Sequence, residues 1–167
     1  MHTAEKRLNP EHISALIELI NRGPFLRLLS MRVCELHRGF CRMEADLEEK
    51  HLNPFGGLHG GVYSALVDSA AYWAAYCELE EGIGLVSLDL KVDNLSAVKN
   101  GRLFVEGTQI KAGRSICLAE ARVKNAEGKL LAHGTSKLMV TPGMQSIYQA
   151  VAAMGFAAMP PKFLNCE

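Results

Sequence analysis

The stretch from Gly60 to Cys77 (GGVYSALVDSAAYWAAYC) constrains this chain more than any other, because Asp68 is the one charged residue in it. Its alanines and its unbroken apolar character predict a helix. A helix that is apolar almost all round belongs in a core. An ionised carboxylate in such a place needs a partner or a task, since an unpaired buried charge is costly. The glycine-rich, polar run from His51 to Gly61 leads into this helix, and the rest of the sequence reads as the material that wraps it.

Before the helix, Asn9-Pro10 followed by Ile13, Leu16, Ile17 and Ile20 predicts a capped helix with one apolar face, stopped by Gly23-Pro24. Phe25 to Ser30 reads as a turn into a sheet. Met31–Leu36 and Gly39–Leu47 read as two strands joined at His37-Arg38-Gly39. After the helix, Glu78 to Gly84 reads as a loop. Val86, Leu88, Leu90 and Val92 then alternate with Ser87, Asp89 and Lys91, as a half-buried strand does. Asn100-Gly101 is a two-residue turn signal, and Ala112-Gly113 and Asn125 to Gly128 are further turns. They separate strands over Leu103–Lys111, Ser115–Lys124 and Leu130–Val140, a tightly joined meander that implies an antiparallel sheet. In the strand from Leu103, Val105 and Gly107 fall on one face and Phe104 and Ile110 on the other. Met144, Ile147, Tyr148, Val151 and Met154 have helical spacing and form a C-terminal helical tail.

The fold class is α+β: one long antiparallel sheet curled around one central helix. The expected organisation is a single domain over 1–167, with its core at about 31–140, an N-terminal helical segment (1–30) and a tail (141–167). Eighteen basic and eighteen acidic residues cancel and form no block, so neither nucleic acid nor an anionic membrane is implied as a partner. Met1 to Arg7 has no apolar run behind it and is not read as a signal peptide. No segment is a membrane span. Five cysteines (34, 41, 77, 117 and 166) without CxxC spacing read as reduced thiols in a cytoplasmic protein. The six histidines form no HxH or HExxH arrangement, and the chain has no GxSxG elbow or nucleotide-binding glycine loop. No metal or organic cofactor is expected.

On a helical wheel, Val62, Leu66, Ala70, Trp73 and Cys77 form a stripe that would face the sheet. Gly61, Ser64, Ala65, Asp68, Ala71 and Ala75 form a strip of small residues that a second helix or a ligand could approach. At the helix start, amides without partners favour negative charge, and Gly60 and Gly61 leave room for a guest such as a developing oxyanion. Asn53 adds a neutral donor and acceptor just upstream. Gly60 and Asp68 are eight residues apart, about 12 Å along a helix axis, so one helix cannot bring both to one carbon. Two subunits with antiparallel small-residue strips would build a shared site, with Asn53 and Gly60 from one chain and Asp68 from its neighbour.

The pattern Asn53-x-x-Gly56-x-x-His59-Gly60-Gly61, followed by Leu66-x-Asp68 in an alanine-rich helix, resembles the PaaI-type branch of the hotdog-fold acyl-CoA thioesterases. The resemblance covers roughly Met31 to Val140, including Val86-Ser87-Leu88-Asp89 and Gly113-Arg114. It implies a homodimer with joined sheets and shared active sites, often a dimer of dimers (a homotetramer), acting on acyl-CoA. It also implies a catalytic carboxylate at Asp68, an oxyanion-binding amide at Gly60 and an orienting asparagine at Asn53. His59 would contact the thioester, and Ser87 would support the carboxylate. Coenzyme A carries phosphates, so Lys99, Lys111 and Arg114, with Gly61 and Gly113, are substrate-binding candidates. Tyr63, Tyr72, Trp73 and Tyr76 either line an acyl pocket or fill core. Alternative readings are a hotdog enoyl-CoA hydratase or dehydratase, and a non-catalytic acyl-CoA-binding module.

Overall fold

The computed structural model describes residues 6–164; most of the Met1–Arg7 stretch and Cys166 lie outside them. Helix α1 (Pro10–Asn21) starts where Asn9 accepts the Glu11 amide and ends before Gly23-Pro24. Phe25 to Ser30, read as a turn, is instead largely a short helix, α2 (Pro24–Leu28), because Pro24 presets its first turn. Strands β2 (Met31–His37) and β3 (Phe40–Asp46) form the expected hairpin, with Gly39 at φ +66° in its turn. The central helix α3 runs over Gly60–Tyr76. The strands β4 (Ile83–Asn94), β5 (Arg102–Ala112), β6 (Ile116–Lys124) and β7 (Leu130–Pro142) follow. The tail supplies α4 (Ile147–Met154), closed by Gly155 in the left-handed region, and β8 (Phe163–Leu164). β8 pairs with β1 (Arg7–Leu8) and ties the two terminal segments together.

The six-stranded sheet is antiparallel throughout, in the order β2-β3-β5-β6-β7-β4. The expected meander is therefore only β5-β6-β7. β4 pairs with β7 at the far edge, and Asn100-Gly101 ends a crossover rather than a hairpin. That crossover is held under the start of α3: Leu95 and Ser96 donate to the Leu131 carbonyl, and Leu58 donates to that of Val98. Its path brings Asn94 and Ser96 up to Gly60 and Tyr63.

The sheet curls closely around α3. A Cβ on Gly107 would lie 2.3 Å from the Ala70 carbonyl oxygen, and one on Gly134 would lie 2.8 Å from Val67 Cγ1. These two positions admit no side chain. Leu66, Val67, Ala70, Ala71, Ala74 and Ala75 are buried against the strands with Val105, Ala121 and Leu138. The wheel needs one correction. Ala71 and Ala75, assigned to the small outer strip, are fully buried, whereas Trp73, assigned to the sheet side, is half-buried. The open face of α3 runs through Gly61, Ser64, Ala65, Asp68 and Tyr72. Among the described residues no helix is long and apolar enough to cross a membrane, and Cys34, Cys41, Cys77 and Cys117 are free thiols.

Candidate active site

Asp68 lies on this open face, half-buried rather than sealed in the core. The Ser87 hydroxyl donates to its Oδ1 at 2.8 Å. Among the described residues no cation pairs with the carboxylate, and Oδ2 accepts no hydrogen bond, so one oxygen is held and the other is available. A β-bulge explains how Ser87 reaches it. Ser87 pairs with Leu138 and Asp89 with Lys137, leaving Leu88 as the extra residue. Strict alternation would group Ser87 with Asp89 and Lys91. The bulge reverses the parity, so Ser87 faces α3 together with Leu85 before the bulge and with Leu90 and Val92 beyond it.

The start of α3 carries the second element. Gly60 is its first residue, and among the described residues no acceptor takes the Gly60 N–H. Gly60 lines a cavity of about 300 Å³ with Leu58, Tyr63, Asn94 and Ser96. Its own Cβ position is 2.9 Å from Asn94 Nδ2, so a side chain here would displace Asn94. Asn94 is a neighbour that sequence reasoning missed, because only the crossover brings it here. His59 is exposed and is the N-cap of α3, where Nδ1 accepts the Gly61 N–H at 2.9 Å. A ring nitrogen that accepts carries no proton, so a neutral His59 bears its N–H on Nε2. The Gly61 amide is used by this cap and is not open to a ligand.

Asn53 organises its own loop: Oδ1 accepts the Phe55 and Gly57 amides at 2.9 and 3.2 Å. Its Nδ2 has no acceptor among the described residues and is the group left for a guest. Phe55, at the tip of this loop, is 94% exposed. The loop is anchored by buried His51, whose Nε2 donates to the Leu29 carbonyl at 2.9 Å while Nδ1 accepts the Glu48 amide.

The substrate-binding candidates divide into two places. Lys99 is exposed on the crossover at the Gly60 end. Lys111, Gly113 and Arg114 lie at the β5–β6 turn, at the other end of β5, on the order of 30 Å away along the strand. That turn shares a register row with Ser87, through Leu138, Cys117 and Ala112. Within one chain the two groups cannot grip one ligand end. Tyr72, Trp73 and Tyr76 line a second cavity, while Tyr63 donates to the Ser96 carbonyl at the helix start and is not part of it. Among the described residues no three His, Cys, Asp or Glu side chains converge as a metal site would require.

Comparison with known proteins agrees with this architecture. The Thioesterase superfamily model matches residues 55–132, from the Asn53 loop to β7. Human acyl-coenzyme A thioesterase 13 is 30% identical over 131 residues, covering 77% of this chain and 83% of that protein. The mouse protein of the same name is 38% identical over 93 residues, which span 54% of this chain and 66% of that one. A Haemophilus influenzae thioesterase crystal structure superimposes with a TM-score of 0.73 at 25% identity, over 80% of this chain and 92% of that one. A central helix wrapped by one antiparallel sheet, the Asn53-to-Asp68 pattern and these likenesses agree: the chain belongs to the thioesterase superfamily and has its hotdog fold.

Proposed function

We propose that the protein hydrolyses acyl-CoA thioesters to a free acid and free CoA, in sites shared between two copies of the chain. The observation that carries this reading is the pairing of a serine-held, half-open Asp68 with a Gly60 amide that has no acceptor among the described residues, about 12 Å away on the same helix. An antiparallel neighbour brings its Gly60 opposite this Asp68. The neighbour's Gly60 N–H then polarises the thioester carbonyl and holds the oxyanion, and Asn53 Nδ2 orients the acyl or water oxygen. Asp68 acts as general base, taking a proton from the water that adds to the carbonyl carbon, or as the nucleophile itself. In the first route the C–S bond breaks as the oxyanion collapses, and the CoA sulfur takes the proton from Asp68. His59 Nε2 faces the thioester, and Ser87 keeps Asp68 aimed.

The separation of the cationic groups fits this arrangement, because Lys99 sits with Gly60 while Lys111, Gly113 and Arg114 sit with Ser87. A two-chain site brings both groups to the CoA phosphates. The open face of α3 and the edge strand β4, with Leu88 and Leu90 exposed at 52% and 37%, are surfaces that a second copy would cover. A dimer of dimers extends the same reading, and the free thiols fit a cytoplasmic setting. The test is thiol release combined with complementation. Asp68→Ala and Asn53→Ala are each expected to be impaired. Mixed after dissociation, they are expected to recover about a quarter of wild-type activity, because half the dimers are mixed and each holds one intact site. Failure of the mixture to rise above its parents would exclude the shared site.

A further inference from the structure

Beyond the residues matched by the family model, α4 folds back over the C-terminal half of α3. Between them lies a cavity of about 480 Å³, within the range of small-molecule pockets. One wall is Tyr72, Trp73 and Tyr76, packed edge to face with ring centroids 4.9 and 5.5 Å apart. The other is Ile147, Ala150 and Ala153 of α4. Of the polar side chains at its rim, Gln149 is already engaged. Gln149 Oε1 accepts the Ser146 amide and its Nε2 donates to the Gly143 carbonyl. The Ser146 carbonyl accepts the Gln149 amide at 3.1 Å, in the first turn of α4. What the cavity offers an occupant is mostly hydrocarbon and aromatic surface, with the exposed Gln145 side chain at its rim. Tyr72 follows Asp68 by one helical turn on the same open face, so the cavity begins about 6 Å along α3 from the carboxylate.

The wall is held from behind. Lys162, fully buried, donates to the Tyr76 and Leu79 carbonyls, each at 2.6 Å, and its ammonium stands 3.8 Å from the Tyr76 ring centroid. His12 Nδ1 donates to the Pro160 carbonyl at 2.7 Å, so its Nε2 accepts from the Tyr76 hydroxyl, at 3.4 Å. α1 and the tail thereby fix Tyr76 from two sides.

We infer that this cavity receives the apolar acyl group of the thioester, and that α4, with the tail that follows it, decides which acyl groups are accepted. The inference rests on the thioesterase reading for the identity of the ligand. Trp73 is the only tryptophan in the chain and reports on the cavity without turnover. With the full-length protein, non-hydrolysable S-octyl-CoA and S-phenacyl-CoA are expected to shift Trp73 emission saturably, while CoA alone leaves it unchanged. The relative shifts separate straight-chain from aryl preference. Ala150→Phe, which narrows the cavity, is expected to lower kcat/KM about tenfold or more for octanoyl- and phenylacetyl-CoA and to leave acetyl-CoA within about twofold. Ala153→Leu serves the same purpose if the first variant fails to fold. Emission that ignores every acyl analogue, or tracks protein concentration instead because a neighbour's side chain fills the space, would overturn the inference. Equal loss across the acyl series would do the same. A saturable Trp73 response in a protein that releases no thiol would retain the cavity and remove the thioesterase reading.

Discussion

At the start of α3 the Gly60 amide has no acceptor in the described chain, whereas at the other end Lys162 crosses from the tail to satisfy the Tyr76 and Leu79 carbonyls. Both ends of a helix leave backbone groups without intrahelical partners. One end is finished with an ammonium drawn out of water, and the other is left partly open beside the cavity that Gly60 lines with Asn94 and Ser96. The open end is where a ligand can supply the missing partner. The closed end is where the fold supplies it, and it also steadies the aromatic wall of the cavity beneath α4.

If this division is right, changes near the open end should reduce turnover with little effect on stability, and changes at the closed end should do the reverse. The largest expected effect is for Asp68→Ala, a loss of about a thousandfold or more in kcat with the melting temperature almost unchanged, read by thiol release and thermal melting. Retained turnover would break the comparison at its centre. Ser87→Ala, which removes one charge-assisted hydrogen bond to that carboxylate, is expected to cost about tenfold in kcat.

Lys162→Met tests the closed end. It takes one donor from each of two carbonyls, leaving Tyr76 with the Leu79 amide alone, while removing the desolvation cost of an ammonium, for a net loss of about 2 kcal/mol, or about 4–8 °C in Tm. Its pH dependence has a defined sign. Burial pushes the Lys162 ammonium down to about 8, below the ordinary lysine value of about 10.4. Between those values the folded chain has released a proton that the unfolded chain keeps, so the Lys162 contribution to stability rises with pH across that window and is flat below it. The neutral amine still has two N–H groups for its two carbonyls. The gap in Tm between wild type and Lys162→Met should therefore widen from pH 8 to pH 10.

The smallest effect sharpens the comparison at His59, which caps the open end and faces the proposed site. His59→Ala should cost about 1 kcal/mol of stability through the lost cap, and His59→Asn should restore it. Turnover that returns with His59→Asn would assign the residue to capping alone; turnover that stays low would assign the imidazole to the thioester.

The fold was largely legible because the two periodicities are strong: the apolar run of α3 and the alternation in β5, β6 and β7 admit few other arrangements. The spacing of Asn53, Gly60 and Asp68 was legible for the same reason, since all three lie in one local stretch. Ser87 was not readable from alternation. A bulge at Leu88 reverses which residues of β4 face the helix, and a single inserted residue leaves no mark on an apolar–polar pattern. The crossover after β4 was misread because Asn100-Gly101 has the composition of a hairpin turn, while strand order is set by which edges remain unpaired around α3.

What the sequence determined by itself was local: the elements, the loop-to-helix junction and the lone carboxylate on the central helix, each encoded by neighbours in the chain. The tertiary structure alone decided which face of α3 stays open, how a bulge in β4 turns Ser87 to Asp68, that Asn94 meets Gly60, and that Lys162 closes the far end of a helix that ended 86 residues earlier at Tyr76. Those pairings join residues distant in sequence. They depend on bulges, crossovers and the burial of a charged side chain, whose energies are settled only when the whole sheet has closed around the helix.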